Sequence, residues 1–196
     1  MAFLSTAGAR ATSHRIWSAG WLALAALGGA GSALTAQAVR ASEYQVKAVF
    51  LFNFAQFVDW PAAAFSDSAS SLVICILGDD PFGGFLDQTV RNEHVGGRAL
   101  TIRRYQNVSE IATCHILFIS RAAVEGPEEI LSGLKHRPIL TVSDGDRFAE
   151  RGGMIRFVTD RNRIRIQINL SAADAAHLTI SSKLLRLAEI VTPPRP

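Results

Sequence analysis

The chain has 196 residues, of which 20 are basic and 17 acidic, and its formal net charge is +3. Two of the basic residues, Arg10 and Arg15, and none of the acidic ones lie before residue 39, so the rest of the chain carries a net charge of +1. That balance excludes the basic surface on which nucleic-acid binding depends. The length beyond residue 38 suits one compact domain with a sizeable core.

Residues 1–38 have the pattern of a signal peptide. A charge-free stretch runs from Ile16 to Val39, with an apolar run, a glycine-rich segment at 28–32 that we expect to break the helix, and a small-x-small sequence at 36–38. The alternative is an uncleaved membrane anchor, because the stretch is long enough to span a bilayer. We expect cleavage, a mature chain that begins near Val39, and a location outside the cytoplasm.

A first helix is predicted from Tyr44 to Trp60, with a start signal at Ser42 and Glu43 and a stop at Pro61. Its side chains are apolar almost all round, and Phe52 falls within the thin polar stripe. Such a helix is buried on more than one side or meets a partner.

The next segment alternates strands with helices, which favours an α/β fold with a mainly parallel central sheet and helices on both faces. The predicted strands are 72–77, 99–105, 114–119 and 138–142, and the predicted helices are 82–92, 128–134 and 147–151. Cys75 and Cys114 fall on two of these strands. In an oxidising compartment an even number of cysteines favours a disulfide, and two buried free thiols are the alternative.

The last part of the domain predicts an antiparallel β-hairpin, 154–158 and 163–168 around a four-residue turn. On its second strand, isoleucines alternate with Arg163, Arg165 and Gln167, which places a polar row on an exposed strand edge that can pair with another chain. Two closing helices are expected at 172–177 and 182–190. The proline-rich tail, 192–196, should be disordered, so the single domain covers 39–191.

The sequence lacks the usual signatures of catalysis. Four histidines of the mature chain are scattered without metal-ligand spacing, and no framework for a nucleophilic serine or a phosphate-binding loop is present. Asp79 and Asp80 follow the first strand, where doubly wound sheets bind ligands, although an Asp-Pro turn that caps the next helix is favoured. We therefore expect no enzyme, no cofactor and no metal site.

Six segments, in this order, resemble the YfiR family of exported regulatory proteins; they are 46–61, 74–83, 114–120, 140–144, 152–155 and 180–188. The resemblance implies a periplasmic α/β domain that restrains an inner-membrane diguanylate cyclase, and an outer-membrane lipoprotein that can sequester it. Cys75 and Cys114 lie where the family has one cysteine pair. A second, C-terminal pair has no counterpart, because residues 140–157 contain no cysteine.

These observations predict a regulator that inhibits a membrane-bound signalling enzyme by contact, and a homodimer is left open. The predicted partner-binding residues are Phe52, Arg163, Arg165 and Gln167. The rival prediction is a periplasmic receptor for a small ligand. Its pocket would be the crevice formed by Asp79, Asp80 and Phe82.

Overall fold

The computed structural model describes residues 29–161 and 163–192. The chain divides into two units, residues 1–38 and 39–196, and every strand described below belongs to the second. Most of the predicted signal peptide, residues 1–28, and most of the predicted tail, residues 193–196, lie outside the described residues. Across the described segments, no helix combines the length and the apolar character needed to cross a membrane.

Helices and strands alternate along the domain, which confirms the predicted α/β class. The helices are α1 (Gly29–Phe57), α2 (Gly84–Val90), α3 (Pro127–Gly133), α4 (Leu170–Ala175) and α5 (Ser182–Leu185). The strands are β1 (Val58–Asp59), β2 (Leu72–Leu77), β3 (His94–Val95), β4 (Arg98–Tyr105), β5 (Ile116–Ile119), β6 (Leu140–Ser143), β7 (Ile155–Asp160), β8 (Arg163–Ile168), β9 (Thr179–Ile180) and β10 (Ala188–Ile190).

The main sheet has eight strands in the order β10-β8-β7-β6-β5-β2-β4-β3. Strands β4, β2, β5, β6 and β7 run parallel, while β8 is antiparallel to β7 and β3 is antiparallel to β4. The chain order reverses between β2 and β5, as in doubly wound sheets. The crevice at the carboxyl ends of these strands is where such folds bind ligands.

The core has a layer on each face of the sheet, because successive strand residues point to opposite sides. On one face, α1 packs Phe54 against Phe157 of β7, with the two rings stacked at 5.8 Å. On the other face, Cys75 and Leu117 belong to a second cluster that also includes Phe148. The nearly all-apolar α1 is thus a core helix, and the antiparallel pair β7–β8 confirms the predicted hairpin.

Three boundaries around α1 and the hairpin differ from the sequence predictions. The helix begins at Gly29, before the predicted start at Ser42, and its glycines do not interrupt it. It ends at Phe57 because Val58 and Asp59 pair with β9, Val58 opposite Ile180. In the hairpin, Thr159 and Asp160 pair with Ile164 and Arg163, so β7 extends into the segment 159–162 that was predicted as a four-residue turn.

Two predicted helices are wrong in whole or in part. Residues 147–151, all of them described, form turns in which Arg147 adopts a left-handed φ of 57°. The segment predicted as one helix over 182–190 stops being helical at Leu185, and Ala188–Ile190 adds to the sheet as a strand parallel to β8. The polar strand β8 is therefore not an edge strand. The edge belongs to β10.

Candidate functional site

A cavity of about 650 Å³ lies at the carboxyl edge of the sheet. We call it the carboxyl-edge cavity. Strand β6 ends at Ser143, whereas the neighbouring β7 continues to Asp160 and so supplies a side wall. The remaining walls come from the middle of α1, residues 40–47, and from the residues that follow β2, β5 and β6. The cavity therefore lies where doubly wound sheets bind their ligands.

A buried lysine organises one wall of this cavity. Lys47 of α1 is 1% exposed, and its Nζ lies 2.6 Å from Glu43 Oε1 and 2.5 Å from Asp144 Oδ2. Tyr44 donates a hydrogen bond from its hydroxyl to the same Asp144 oxygen at 2.7 Å. Burying a charged group such as the Lys47 ammonium is costly unless ion pairs and hydrogen bonds of this kind replace its contacts with water. The group ties α1 to the end of β6, 97 residues further along the chain.

Electrostatics in this cluster favours an ionised Glu43 and an un-ionised Tyr44. Burial alone would raise the pKa of Glu43, but hydrogen bonds from Lys47 and from Thr159 hold that pKa below its ordinary value. Burial raises the pKa of Tyr44 strongly, and its hydrogen bond to Asp144 raises it further. Tyr44 is therefore a permanent donor at neutral pH.

Three polar atoms beside this cluster lack partners. The hydroxyl oxygen of Ser120, Oδ1 of Asp144 and Nε of Arg156 are buried without a hydrogen bond among the described residues, and all three residues line the carboxyl-edge cavity. Buried polar groups are nearly always satisfied, by protein or by bound molecules. The cavity therefore has unused capacity both to donate and to accept hydrogen bonds.

The close approach of β2 and β5 beneath the cavity depends on a glycine. Gly78 has a φ of +83°, and a Cβ built on it would lie 2.6 Å from Ser120 Oγ. A side chain at position 78 would be strained by both the backbone conformation and the contact. Gly78 therefore sets the position of Ser120 at the reversal point of the sheet.

The three residues of the predicted crevice take different positions. Asp79 is exposed and lines the carboxyl-edge cavity. Asp80 accepts hydrogen bonds from the N–H groups of Phe82 and Gly83, at 2.8 and 3.2 Å, and pairs with Arg104 at 2.7 Å. This is the Asp-Pro turn that the sequence favoured, but the predicted cap is wrong, because the N-cap residue of α2 is Gly83 and no side chain caps the helix. Phe82 is only 5% exposed, and its ring meets Phe118 edge-on within the core.

The predicted contact residues of β8 lie on one polar surface. Arg163 and Arg165 are exposed, and Gln167 is partly buried. Gln167 accepts a hydrogen bond from Arg156 of β7 at 3.3 Å and donates one to Glu189 of β10 at 3.2 Å. We call Arg156, Arg163, Arg165, Gln167 and Glu189 the hairpin polar face.

Phe52 is separated from the hairpin polar face. It is partly buried and packs against the core cluster that α1 shares with Ile164 and Ile166 of β8. Because strand residues alternate between faces, Arg163 and Arg165 point to the opposite side of the sheet from these isoleucines. The structure thus brings the predicted polar contact residues together and leaves Phe52 on the α1 side.

Two further features fasten the amino-terminal half of the sheet. Cys75 of β2 and Cys114, just before β5, form the expected disulfide, with a Cα–Cα distance of 6.0 Å.

The adjacent His115 is buried and accepts a hydrogen bond at Nδ1 from the N–H of Val73 at 3.0 Å, so its Nε2 donates to the carbonyl of Ala64 at 3.1 Å. Burial lowers the pKa of His115.

Comparison with known proteins supplies the identification. A family model described as YfiR/HmsC-like matches residues 44–189, which is nearly the whole domain. The chain belongs to the YfiR/HmsC-like family. No curated protein matches it in sequence. The matched segment includes both cysteines, the carboxyl-edge cavity apart from Arg40 and Glu43, and the complete hairpin polar face.

For this YfiR/HmsC-like chain, sequence reasoning missed the centre of the cavity. Lys47, Asp144 and Ser120 were not singled out, although Lys47 is a charge within the otherwise uncharged segment 44–57 and Asp144 follows a buried parallel strand. Those two signals could have marked each residue as a candidate, but they do not show that the two residues lie together. Among the described residues, no group of three metal-binding side chains comes together, and the unpartnered atoms of the cavity are hydrogen-bonding groups.

Proposed function

We propose that this protein is a periplasmic regulator that lowers the output of an inner-membrane diguanylate cyclase by binding the periplasmic part of that enzyme. The observation that carries the proposal is the family match over residues 44–189. The disulfide between Cys75 and Cys114 supports a location in an oxidising compartment. Export by a signal peptide that is removed near Val39 belongs to the same proposal.

We propose the hairpin polar face as the contact surface for the cyclase. Arg165 is 67% exposed, and among the described side chains its ion-pair partner is the exposed Asp160, at 3.3 Å, so its guanidinium can exchange that partner for another. Exposed ion pairs contribute little to stability, which makes such an exchange inexpensive. Phe52 lies on the α1 side of the sheet and could join this contact surface only if α1 moved. We therefore propose that it contributes less to cyclase binding than the three residues of β8.

A pull-down tests the partner. Tagged mature protein is incubated with detergent-solubilised inner membranes, and the captured proteins are identified by mass spectrometry. We expect an inner-membrane protein with a diguanylate cyclase output domain. Capture of a transporter component in its place would contradict the regulator and favour the receptor.

Charge reversal tests the surface. The double variant Arg163→Glu/Arg165→Glu should fold normally and lose the captured cyclase, because both side chains are exposed and point away from the core. Arg91→Glu/Arg103→Glu is the matched control, with the same charge change on exposed residues near the opposite edge of the sheet. If the wild type and both double variants captured the cyclase equally, the hairpin polar face would not be the contact surface, while the cyclase would still be the partner.

We propose that an outer-membrane lipoprotein relieves the inhibition by sequestering the regulator. The sheet ends in the short edge strand β10; its last residue, Ile190, is 46% exposed, and Leu187, which precedes the strand, is 72% exposed. An open edge with apolar neighbours supports pairing with another chain, including a second copy of this one. Light scattering of the mature protein distinguishes a monomer from a homodimer, and the double variant Leu187→Ser/Ile190→Ser should abolish any dimer formed by this edge.

A second function, the binding of a small ligand, is favoured by the carboxyl-edge cavity. Its unpartnered atoms on Ser120, Asp144 and Arg156 call for a polar molecule that both donates and accepts hydrogen bonds. Native mass spectrometry of protein released gently from the periplasm tests this. A retained small molecule that is absent after denaturation and refolding would support the receptor, and a bare protein mass would favour a regulator without a ligand.

A further inference from the structure

A second cavity, of about 700 Å³, lies between α3 and α4. It is within the range of roughly 300–1,000 Å³ that small-molecule sites occupy. Its walls include Leu131, Leu134, Ile139 and Met154, of which all but Leu131 are buried. On the side of α4 the lining is alanine, and these small side chains leave the space between the two helices unfilled.

Three polar side chains of this second cavity, those of Thr141, Arg151 and Glu128, already have hydrogen-bond partners. Thr141 accepts a hydrogen bond from the N–H of Met154 at 3.1 Å. At the rim, Arg151 makes two hydrogen bonds to Glu128, at 2.7 and 2.8 Å, and neutralises its charge. Apart from Thr141 the interior lining is apolar, so it suits a ligand with an apolar body.

The rim adds a positive charge to this apolar interior. Lys135 lines the cavity, is exposed, and has no carboxylate within 4 Å among the described side chains. His136 lies next to it on the rim. Since Glu128 is compensated by Arg151, the mouth carries a net positive charge and complements an anionic end group.

The described lining residues include no phenylalanine, tyrosine or tryptophan. Aliphatic walls pack well against a methylene chain and provide none of the ring contacts that select an aromatic ligand. We propose that this second cavity binds a free alkyl carboxylate, a medium-chain fatty acid, with its chain between α3 and α4 and its carboxylate at Lys135. The site goes beyond the proposed regulatory function and does not depend on it.

Isothermal titration calorimetry of the mature protein with sodium decanoate, below its micellar concentration, tests this site. We expect saturable binding of one decanoate, and binding of methyl decanoate weaker by about tenfold because the ester lacks the charge. Non-saturable uptake, or equal affinity for acid and ester, would overturn the proposal.

Three variants locate the binding. Ala175→Phe, at an exposed position of α4 that lines the cavity, should abolish the saturable phase while the protein keeps a cooperative thermal transition. Lys135→Glu should weaken decanoate binding by about tenfold or more. Lys183→Glu, the same charge change at an exposed position outside the lining, is the control and should bind normally. Lys135→Glu binding as tightly as Lys183→Glu would refute the carboxylate site, even if Ala175→Phe failed to fold.

Discussion

Removing the charge of Lys47 should destabilise the domain far more than removing an exposed arginine. Lys47→Met keeps the apolar stem of the side chain and leaves Asp144, 4% exposed, without its cation. Breaking a buried ion pair from one side costs about 3–5 kcal/mol. Arg165→Met is the matched control, since the Arg165–Asp160 pair is largely exposed and should contribute only about 0–1 kcal/mol.

The assay is urea unfolding of the oxidised mature protein at pH 7, for the two single variants, for Asp144→Asn and for Lys47→Met/Asp144→Asn. The double variant should be more stable than the sum of the single losses predicts, by about 0.5–3 kcal/mol, because neither residue then leaves a buried charge behind. A loss below about 1 kcal/mol for Lys47→Met, equal to that of Arg165→Met, would refute the account of a buried charge cluster.

Three further predictions concern acidity, redox state and export. The free energy of unfolding should fall as the pH drops below about 6.5, because the lowered pKa of His115 makes the folded state bind fewer protons than the unfolded one, and His115→Gln should flatten this slope in urea titrations. Reducing the Cys75–Cys114 bridge, which spans 39 residues, should cost up to about 4 kcal/mol, and alkylation of the unreduced, denatured protein should find no thiol. N-terminal sequencing of the periplasmic protein should begin near Val39, and recovery of Met1 from membranes would favour an anchor.

The parts of the fold that follow from local pattern were predictable. The continuous apolar run of β2 indicated a strand covered on both faces, and the alternation of Ile164, Ile166 and Ile168 indicated which side of β8 faces the core. The apolar character of α1 indicated either a central position or contact with a partner, and the structure places the helix in the core. In each case the order of apolar and polar residues within a single segment is enough to show which side chains are buried.

Features that depend on distant partners were not predictable. The segment Leu184–Ile190 has apolar spacing that suits a helix, and only its pairing with β8 turns Ala188–Ile190 into a strand. The Lys47–Asp144 pair joins residues 97 positions apart, and nothing in their spacing marks them as neighbours. The sequence prediction that Asp79 belongs to a pocket identified the correct edge of the sheet, because Asp79 lines this cavity. The buried wall formed by Lys47 and Asp144 was not predicted.

The central claim, that this protein restrains a diguanylate cyclase, is tested most directly by the cellular concentration of cyclic di-GMP after deletion of its gene, under conditions in which the cyclase is expressed. We predict a rise in cyclic di-GMP and in biofilm formation, reversed by the wild-type gene and not by the Arg163→Glu/Arg165→Glu variant. An unchanged concentration in the deletion strain would contradict the regulator.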